Sequence, residues 1–275
     1  MMFEAKIILD SVNESGDRLT TFQLRYPRFI HSELMTHRVF SRNAMSSRAV
    51  PVAKMIAQVR DNPAKPIHWG MNKPGMQATE EVSTAGAEHL WHKAATLAAD
   101  VAEQMVKLNL HKQVSNRIVE PFQWMNTIVT ATEWDNFYSL RAHPDAQPEF
   151  QKLAVMMLEA QKSSQPKLLG AGEWHLPYVT VAELEDMKSA RTGKLHPFRV
   201  GQMQKVSAAR CARVSYLTHD GRKPEVQEDL ALFDRLAGGV PLHASPLEHQ
   251  GTPGAYDCGN FKGWTQFRKV WEKTM

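Results

Sequence analysis

The sequence predicts an α/β (α+β) fold, helix-rich and built as one domain over residues 1–275. Three observations point there. Two β-rich runs near the N-terminus are joined by turn chemistry, helical periodicity dominates from residue 80 onward, and no repeat, low-complexity tract or linker divides the chain.

The elements follow in order. Residues 3–10 and 19–25 read as strands, because AKIILDSV and LTTFQLRY are rich in β-branched and aromatic residues and Asn13 to Asp17 supplies a turn. Pro27 ends the second strand, residues 28–36 read as a short helix, and His37 to Arg48 as a polar loop. Residues 61–78, with three prolines and two glycines, read as a long irregular segment. A helix is predicted over 80–108, with Leu90, Ala94, Leu97, Val101, Met105 and Leu108 as its apolar stripe. Further helices are predicted over 113–119, 133–142 and 146–162, the last burying Phe150, Leu153, Met157 and Ala160. HLPYVTV at 175–181 reads as a strand, 202–216 and 225–237 as helices with a turn at 218–221 between them, and 263–274 as a closing helix.

Composition narrows the function. The chain has 275 residues, 43% apolar and 23% charged, which is ordinary globular composition. A mean hydropathy of -0.41 and the lack of a long apolar run argue against a membrane partner. The first ten residues do not read as a secretory signal, and the two cysteines are too few for a disulfide framework or a thiolate zinc site. A reducing, cytoplasmic setting is the expectation, with no metal. The net charge of +4 suits an anionic ligand. Arginines scattered singly, rather than clustered, favour a small anion over nucleic acid.

Three constellations carry the chemistry. The first is THRVFSRNAMSSRAVP, residues 36–51. Arginine forks, serine hydroxyls and loop amides make an anion site, although a solvated basic loop has the same composition. The second spans 116–150 and offers Arg117, Asn136, Arg141 and Gln147; Asn136 and Arg141 are five apart, so they share no helix ridge. The third comprises SAARCARVSY, 207–216, and HASPLEHQ, 243–250.

Together these resemble the flavin-dependent thymidylate synthase family. His37, Arg38 and Ser46 match its signature R-H-R-x7-S from the second letter on, and Arg48 continues the match. Arg-Ile-Val-x-Pro from Arg117, and Asn-Phe-x-x-Leu-Arg from Asn136, resemble family segments, as do the Ala-Arg-Val-Ser and His-x-Ser-Pro-Leu-Glu-His strings. The third constellation precedes the signature in the ordinary family and follows it here, which a circular permutation explains.

The resemblance implies a thymidylate-synthase-complementing-protein-like fold with a mixed β-sheet, in which residues 51–112 are a variable insertion with helices. It implies reductive methylation of dUMP to dTMP, with methylenetetrahydrofolate as carbon donor, FAD as cofactor and NADPH as reductant. Ser46, Ser47, Arg48, Arg117, Arg141, Glu33 and Gln266 would bind the nucleotide, with Arg141 and Ser46 catalytic. His37, Arg38, Val39, Asn136, His243, Ser245, Glu248 and Arg268 would hold the flavin. A homotetramer with sites shared between subunits is implied, and no protein thiol nucleophile, which suits the unactivated settings of Cys211 and Cys258. His68, Trp69, Trp174 and His175 receive no role.

The sequence also departs from the pattern. Thr36 replaces the first signature Arg, Glu33 a Gln, Ala44 a Glu and Ala49 a Tyr, while Thr130 and Thr132 stand at flavin positions that are Asn and Arg. Gln266 and Arg268 are spaced to replace the lost Gln and Arg. The alternatives are a related flavin- and folate-dependent enzyme that methylates or hydroxymethylates another pyrimidine nucleotide, and a non-catalytic protein that binds nucleic acid.

Overall fold

The computed structural model describes residues 3–75, 78–185, 196–215 and 225–275. The two N-terminal strands form as β1 (Glu4–Val12) and β2 (Arg18–Pro27), antiparallel, with Glu4 opposite Arg25 and Val12 opposite Arg18. Their turn closes through Asn13, whose side-chain oxygen accepts the Asp17 N–H at 2.8 Å, and through Gly16 at φ +85°. A 3₁₀ turn, Arg28–Ile30, leads into the short helix α1 (His31–Leu34).

Strand β3 (Ser41–Ala44) then lies inside the stretch expected to be a polar loop. Helices α2 (Val52–Asp61), α3 (Thr84–Lys107) and α4 (Lys112–Ile118) follow. Next come β4 (Trp124–Ala131), α5 (Asp135–Arg141), α6 (Pro148–Ser163) and β5 (Lys167–Leu168). The remainder contains α7 (Val181–Glu185), α8 (Pro197–Ala212), α9 (Val226–Ala237), β6 (Gly251–Pro253), β7 (Trp264–Gln266) and α10 (Phe267–Glu272).

The main sheet has the order β3-β4-β2-β1-β5. The β1–β5 pair is parallel and the others antiparallel, so the sheet is mixed, as the resemblance implied. Phe22, Leu24, Tyr26, Met125, Val129 and Ala131 point from one face into the largest core, with Phe137 of α5 and Phe150, Leu153 and Met157 of α6. Helix α6 begins where Pro148 sits at its first turn and the Gln147 side chain accepts the Phe150 N–H at 2.9 Å. Its predicted stripe is the buried one. The opposite face of the sheet is covered by α8 and its continuation Arg213–Ser215, with Ile128 of β4 against Cys211 and Val214.

Four expectations are corrected. Strand β4, an interior strand between β3 and β2, falls in a stretch for which the sequence predicted no element. The predicted strand at 175–181 does not form: His175 makes a single bridge to Gly251, Tyr178 takes φ +65°, and Val181 starts α7. The closing helix begins as strand β7 and turns helical only at Phe267. On α3 the predicted stripe faces outward: Leu90 is 65% exposed, Leu97 55% and Leu108 76%, while Ala95, Ala99 and Ala102 are buried. Small residues let α3 approach α2 closely, burying Met55, Ile56 and Val59. The turn at 218–221 lies outside the described residues. Among the described residues no helix is long and apolar enough to cross a membrane.

Candidate active site

A cleft of about 1670 Å³ opens between the α1, α5 and N-terminal α6 region on one side and Pro66 to His68, Gly70, Ala78, Thr79 and Trp91 on the other. Glu33 and Arg141 both line it. Arg141, the last residue of α5, places Nη1 3.0 Å from Glu33 Oε2 and donates from Nε to His37 Nε2 at 3.1 Å. Its guanidinium lies 4.7 Å over the Phe150 ring. Burial, with Arg141 and Arg42 nearby, pushes His37 down to about 4, so the imidazole stays neutral and keeps a lone pair for Arg141. Arg42 fixes this loop by donating from Nη1 to the carbonyls of Leu34, Met35 and His37 at 3.3, 2.8 and 3.1 Å, closing the open end of α1.

A second cluster surrounds β3. Gln266 donates from Nε2 to Asn260 Oδ1 at 2.7 Å, to the Glu248 carbonyl at 3.2 Å and to Ser41 Oγ at 3.3 Å. Asn260 in turn donates to the Val39 carbonyl at 2.8 Å. Ser245 Oγ donates to Asn43 Oδ1 at 2.8 Å, and Asn43 donates to the Cys211 carbonyl at 3.1 Å. Arg268 pairs with both Glu248 and Glu272. A third group forms where Asn116 of α4 donates to the carbonyls of Ser47, at 2.6 Å, and Val50, at 3.0 Å. Ser46 Oγ accepts the Arg48 N–H at 3.3 Å, and the Arg117 guanidinium is exposed and paired with Glu120 at 2.9 Å.

A model of the family described as Thymidylate synthase complementing protein matches residues 19–167, more than half of the chain. The chain belongs to that family. Solved structures of a UMP/dUMP methylase, PolB, from Streptomyces cacaoi are similar to it. With 5-Br UMP bound, the identity is 18%, the TM-score 0.43, and the match covers 58% of this chain and 88% of that one. With 5-Br dUMP bound, the figures are 22%, 0.43, 52% and 66%. No curated protein sequence matches the chain.

Within this thymidylate synthase complementing protein family member, the residues singled out by sequence fall into separate groups. Glu33, His37 and Arg141 come together at the cleft. Ser245, Glu248, Gln266 and Arg268 come together around β3. Ser46, Ser47, Arg48 and Arg117 gather beside α4 and do not line the cleft. Arg38, Val39, Asn136 and His243 are exposed.

Of the residues expected at the nucleotide, Ser47 is 4% exposed and Gln266 2%, so both lie beneath the surface, and the Gln266 amide nitrogen bonds internal partners. His37, expected to line the flavin, spends its ring nitrogen on Arg141. Sequence reasoning missed Phe150 under Arg141 and the two asparagines, Asn116 and Asn260, that brace their loops, and it grouped Arg42 with the anion-binding loop, whereas the guanidinium bonds the carbonyls behind α1. The Phe150 stripe had been read as core alone. An asparagine whose amide bonds only backbone or neighbouring loops leaves no motif in a single sequence.

Proposed function

We propose that this protein transfers a one-carbon unit to C5 of a pyrimidine nucleotide, as the reductive methylation of dUMP to dTMP. The observation that carries this reading is the Glu33–Arg141–His37 cluster at the wall of a large cleft, in a chain of this family.

The chain's own residues do the positioning. Arg141, fixed by Phe150 and His37, would stabilise negative charge that builds on the ring as C5 becomes nucleophilic. Ser46, Arg48 and Arg117 would hold the phosphate and sugar. Because that group does not line the same cleft as Arg141, a nucleotide touching both needs a second copy of the chain, which supports a homotetramer with shared sites. The exposed apolar residues of α3 and α4, among them Leu90, Leu97, Val106 and Val114, supply a surface for such an assembly.

The residues fit FAD in kind. Exposed Arg38, Val39 and Asn136 on one side and Ser245 on the other offer a cation, an apolar contact and polar groups. Thr130 and Thr132 do not fit as flavin contacts, because Thr130 is buried in an internal chain of hydrogen bonds and Thr132 Oγ1 accepts the Lys262 N–H at 2.9 Å. When bound, FAD supplies the hydride chemistry that no side chain here can, with NADPH as its reductant and methylenetetrahydrofolate as carbon source. The packing of Arg213–Ser215 and Ser245–Glu248 onto β3 supports the permuted reading, since the displaced blocks reach the same sheet as the signature.

The test is visible absorption of the purified protein, followed by NADPH and dUMP. A flavin spectrum that bleaches with NADPH and shifts with dUMP, followed by a product of dTMP mass when folate is added, is the expected result. A hydroxymethyl product, or turnover of a different pyrimidine nucleotide, would replace the methylation reading by the related transfer. A protein that takes up no FAD would overturn the flavin chemistry.

A further inference from the structure

Asn116, on α4, is wholly buried, and nothing in the family resemblance gives it a role. Both protons of its side-chain amide go to one turn, Ser46 to Val50: Nδ2 donates to the Ser47 carbonyl at 2.6 Å and to the Val50 carbonyl at 3.0 Å. Lys112, one helical turn earlier, donates from Nζ to the Ala49 carbonyl at 3.2 Å. The carbonyls of Ser47, Ala49 and Val50 are thereby all held from α4. That of Ser46 accepts the Ala49 N–H at 3.0 Å, inside the turn.

A trans peptide sets its C=O and N–H in opposite directions, and the peptides of this turn are trans. Drawing the Ser47 and Ala49 carbonyls toward α4 therefore turns the N–H groups of Arg48 and Val50 away from it. The Arg48 N–H meets only Ser46 Oγ, at a long 3.3 Å, and the Val50 N–H has no acceptor among the described residues. Helix α2 follows directly, with no side-chain cap and no acid in its first turn. Amide groups turned outward in this way suit an oxyanion. Asn116 Oδ1, by contrast, is buried with no partner, and an apolar side chain at this position would remove that unmet acceptor. What the amide supplies is its pair of donors.

We propose that Asn116 is a positioning residue for anion binding: without touching the ligand, its amide holds the Ser47 and Val50 carbonyls against α4 and so keeps the turn in the form that takes a phosphate. This rests on the nucleotide reading above, in which Ser46 and Arg48 meet the phosphate, and adds the residue that shapes them. Asn116→Asp is nearly isosteric but brings a carboxylate, which only accepts, against two carbonyl oxygens. The turn must then reorient, and a carbonyl that swings toward the ligand repels it. Asn116→Ser keeps one donor and adds no charge.

The test is calorimetric binding of dUMP and of deoxyuridine, which lacks the phosphate, to the full-length protein with FAD added, in the wild type, Asn116→Ser and Asn116→Asp. The wild type is expected to bind dUMP about tenfold or more tighter than deoxyuridine. Asn116→Asp is expected to lose about tenfold or more in dUMP affinity and Asn116→Ser about threefold, while deoxyuridine stays within about twofold in both. A general loosening of the fold weakens both ligands together, so the ratio between them isolates the turn. Asn116→Ser carries the test where Asn116→Asp does not fold. If the wild type binds dUMP no tighter than deoxyuridine, if a folded variant keeps the wild-type ratio, or if the two ligands weaken together, the role of Asn116 is overturned and the nucleotide reading survives. If neither ligand binds the wild type, the nucleotide reading fails and this inference with it.

Discussion

The two faces of the main sheet are built from different physics. On one, Phe22, Leu24 and Tyr26 of β2 and Met125 and Val129 of β4 meet α5 and α6 through apolar packing. On the other, buried side chains form a line of hydrogen bonds, each 2.8 Å long: Ser11 Oγ to His175 Nδ1, His175 Nε2 to Thr21 Oγ1, Thr21 to Thr130, and Thr130 to His249 Nδ1. Thr21 and Thr130 are direct cross-strand neighbours, which brings their hydroxyls together. The apolar face is non-directional and tolerates exchange of one large residue for another. The polar face is directional, and each buried group depends on its neighbour for satisfaction.

Breaking the apolar face has the larger effect. Leu153→Ala removes a fully buried side chain from the main core, and a loss of roughly 2–5 kcal/mol is expected in urea unfolding. Thr130→Val tests the other face with almost no change in volume. It strands His249 Nδ1 without a partner and takes one from Thr21, at an expected cost of roughly 1–3 kcal/mol. If Thr130→Val unfolds at the same urea concentration as the wild type, the polar line contributes nothing to stability and the contrast between the faces is lost.

Acid separates the faces without mutation. Burial pushes both His175 and His249 down to about 3, from 6.5 for an exposed histidine. Both are therefore neutral in the folded state at pH values where the unfolded chain takes up protons. The unfolded state binds more protons between pH 6.5 and 3, so stability is full above 6.5 and falls as pH is lowered through that window. The slope is about 1.4 kcal/mol per pH unit for each histidine fully protonated in the unfolded chain. His31 and His37, lowered to about 4 chiefly by burial, add to the same trend. Unfolding measured between pH 6.5 and 5, above the range of ordinary carboxylates, isolates the histidines. His249→Gln is expected to flatten the curve there, and an unchanged slope would show that His249 titrates normally.

The same contrast explains what the sequence revealed. The apolar stripe of α6 and the pairing of β1 with β2 were legible, because burying alternate or every third and fourth residue is a local pattern. The α3 stripe misled because periodicity identifies a helix's apolar side and not what covers it: alanines face α2 while the leucines face out. Strand β4, WMNTIVTA, is buried on both faces, so it shows no alternation, and its β-branched run after Pro121 was the signal available. At the site, Glu33, His37 and Arg141 were found through motif letters, but their mutual contact was not. It depends on α1 and α5, more than a hundred residues apart in sequence, meeting beside α6. His175 and His249 lie 74 positions apart, and no spacing rule links them through two threonines.

The smallest effect gives the sharpest test of the polar face, because it concerns proton positions and not stability. A hydroxyl donates one hydrogen bond, so the Thr21–Thr130 contact fixes its neighbours. If Thr21 donates to Thr130, its proton is spent, and His175 must donate to it from Nε2. Thr130 then donates to His249 Nδ1, which leaves the His249 proton on Nε2. If Thr130 donates to Thr21, both histidines carry the proton on Nδ1 instead. The two rings are thus expected to share one tautomer. Long-range proton–nitrogen correlation spectra of protein labelled at histidine nitrogen read each ring separately, and Thr130→Val should release His249 from His175. Opposite tautomers in the wild type would mean that the line is interrupted between the threonines, and the polar face would then be two separate pairs of contacts held together by the packing around them.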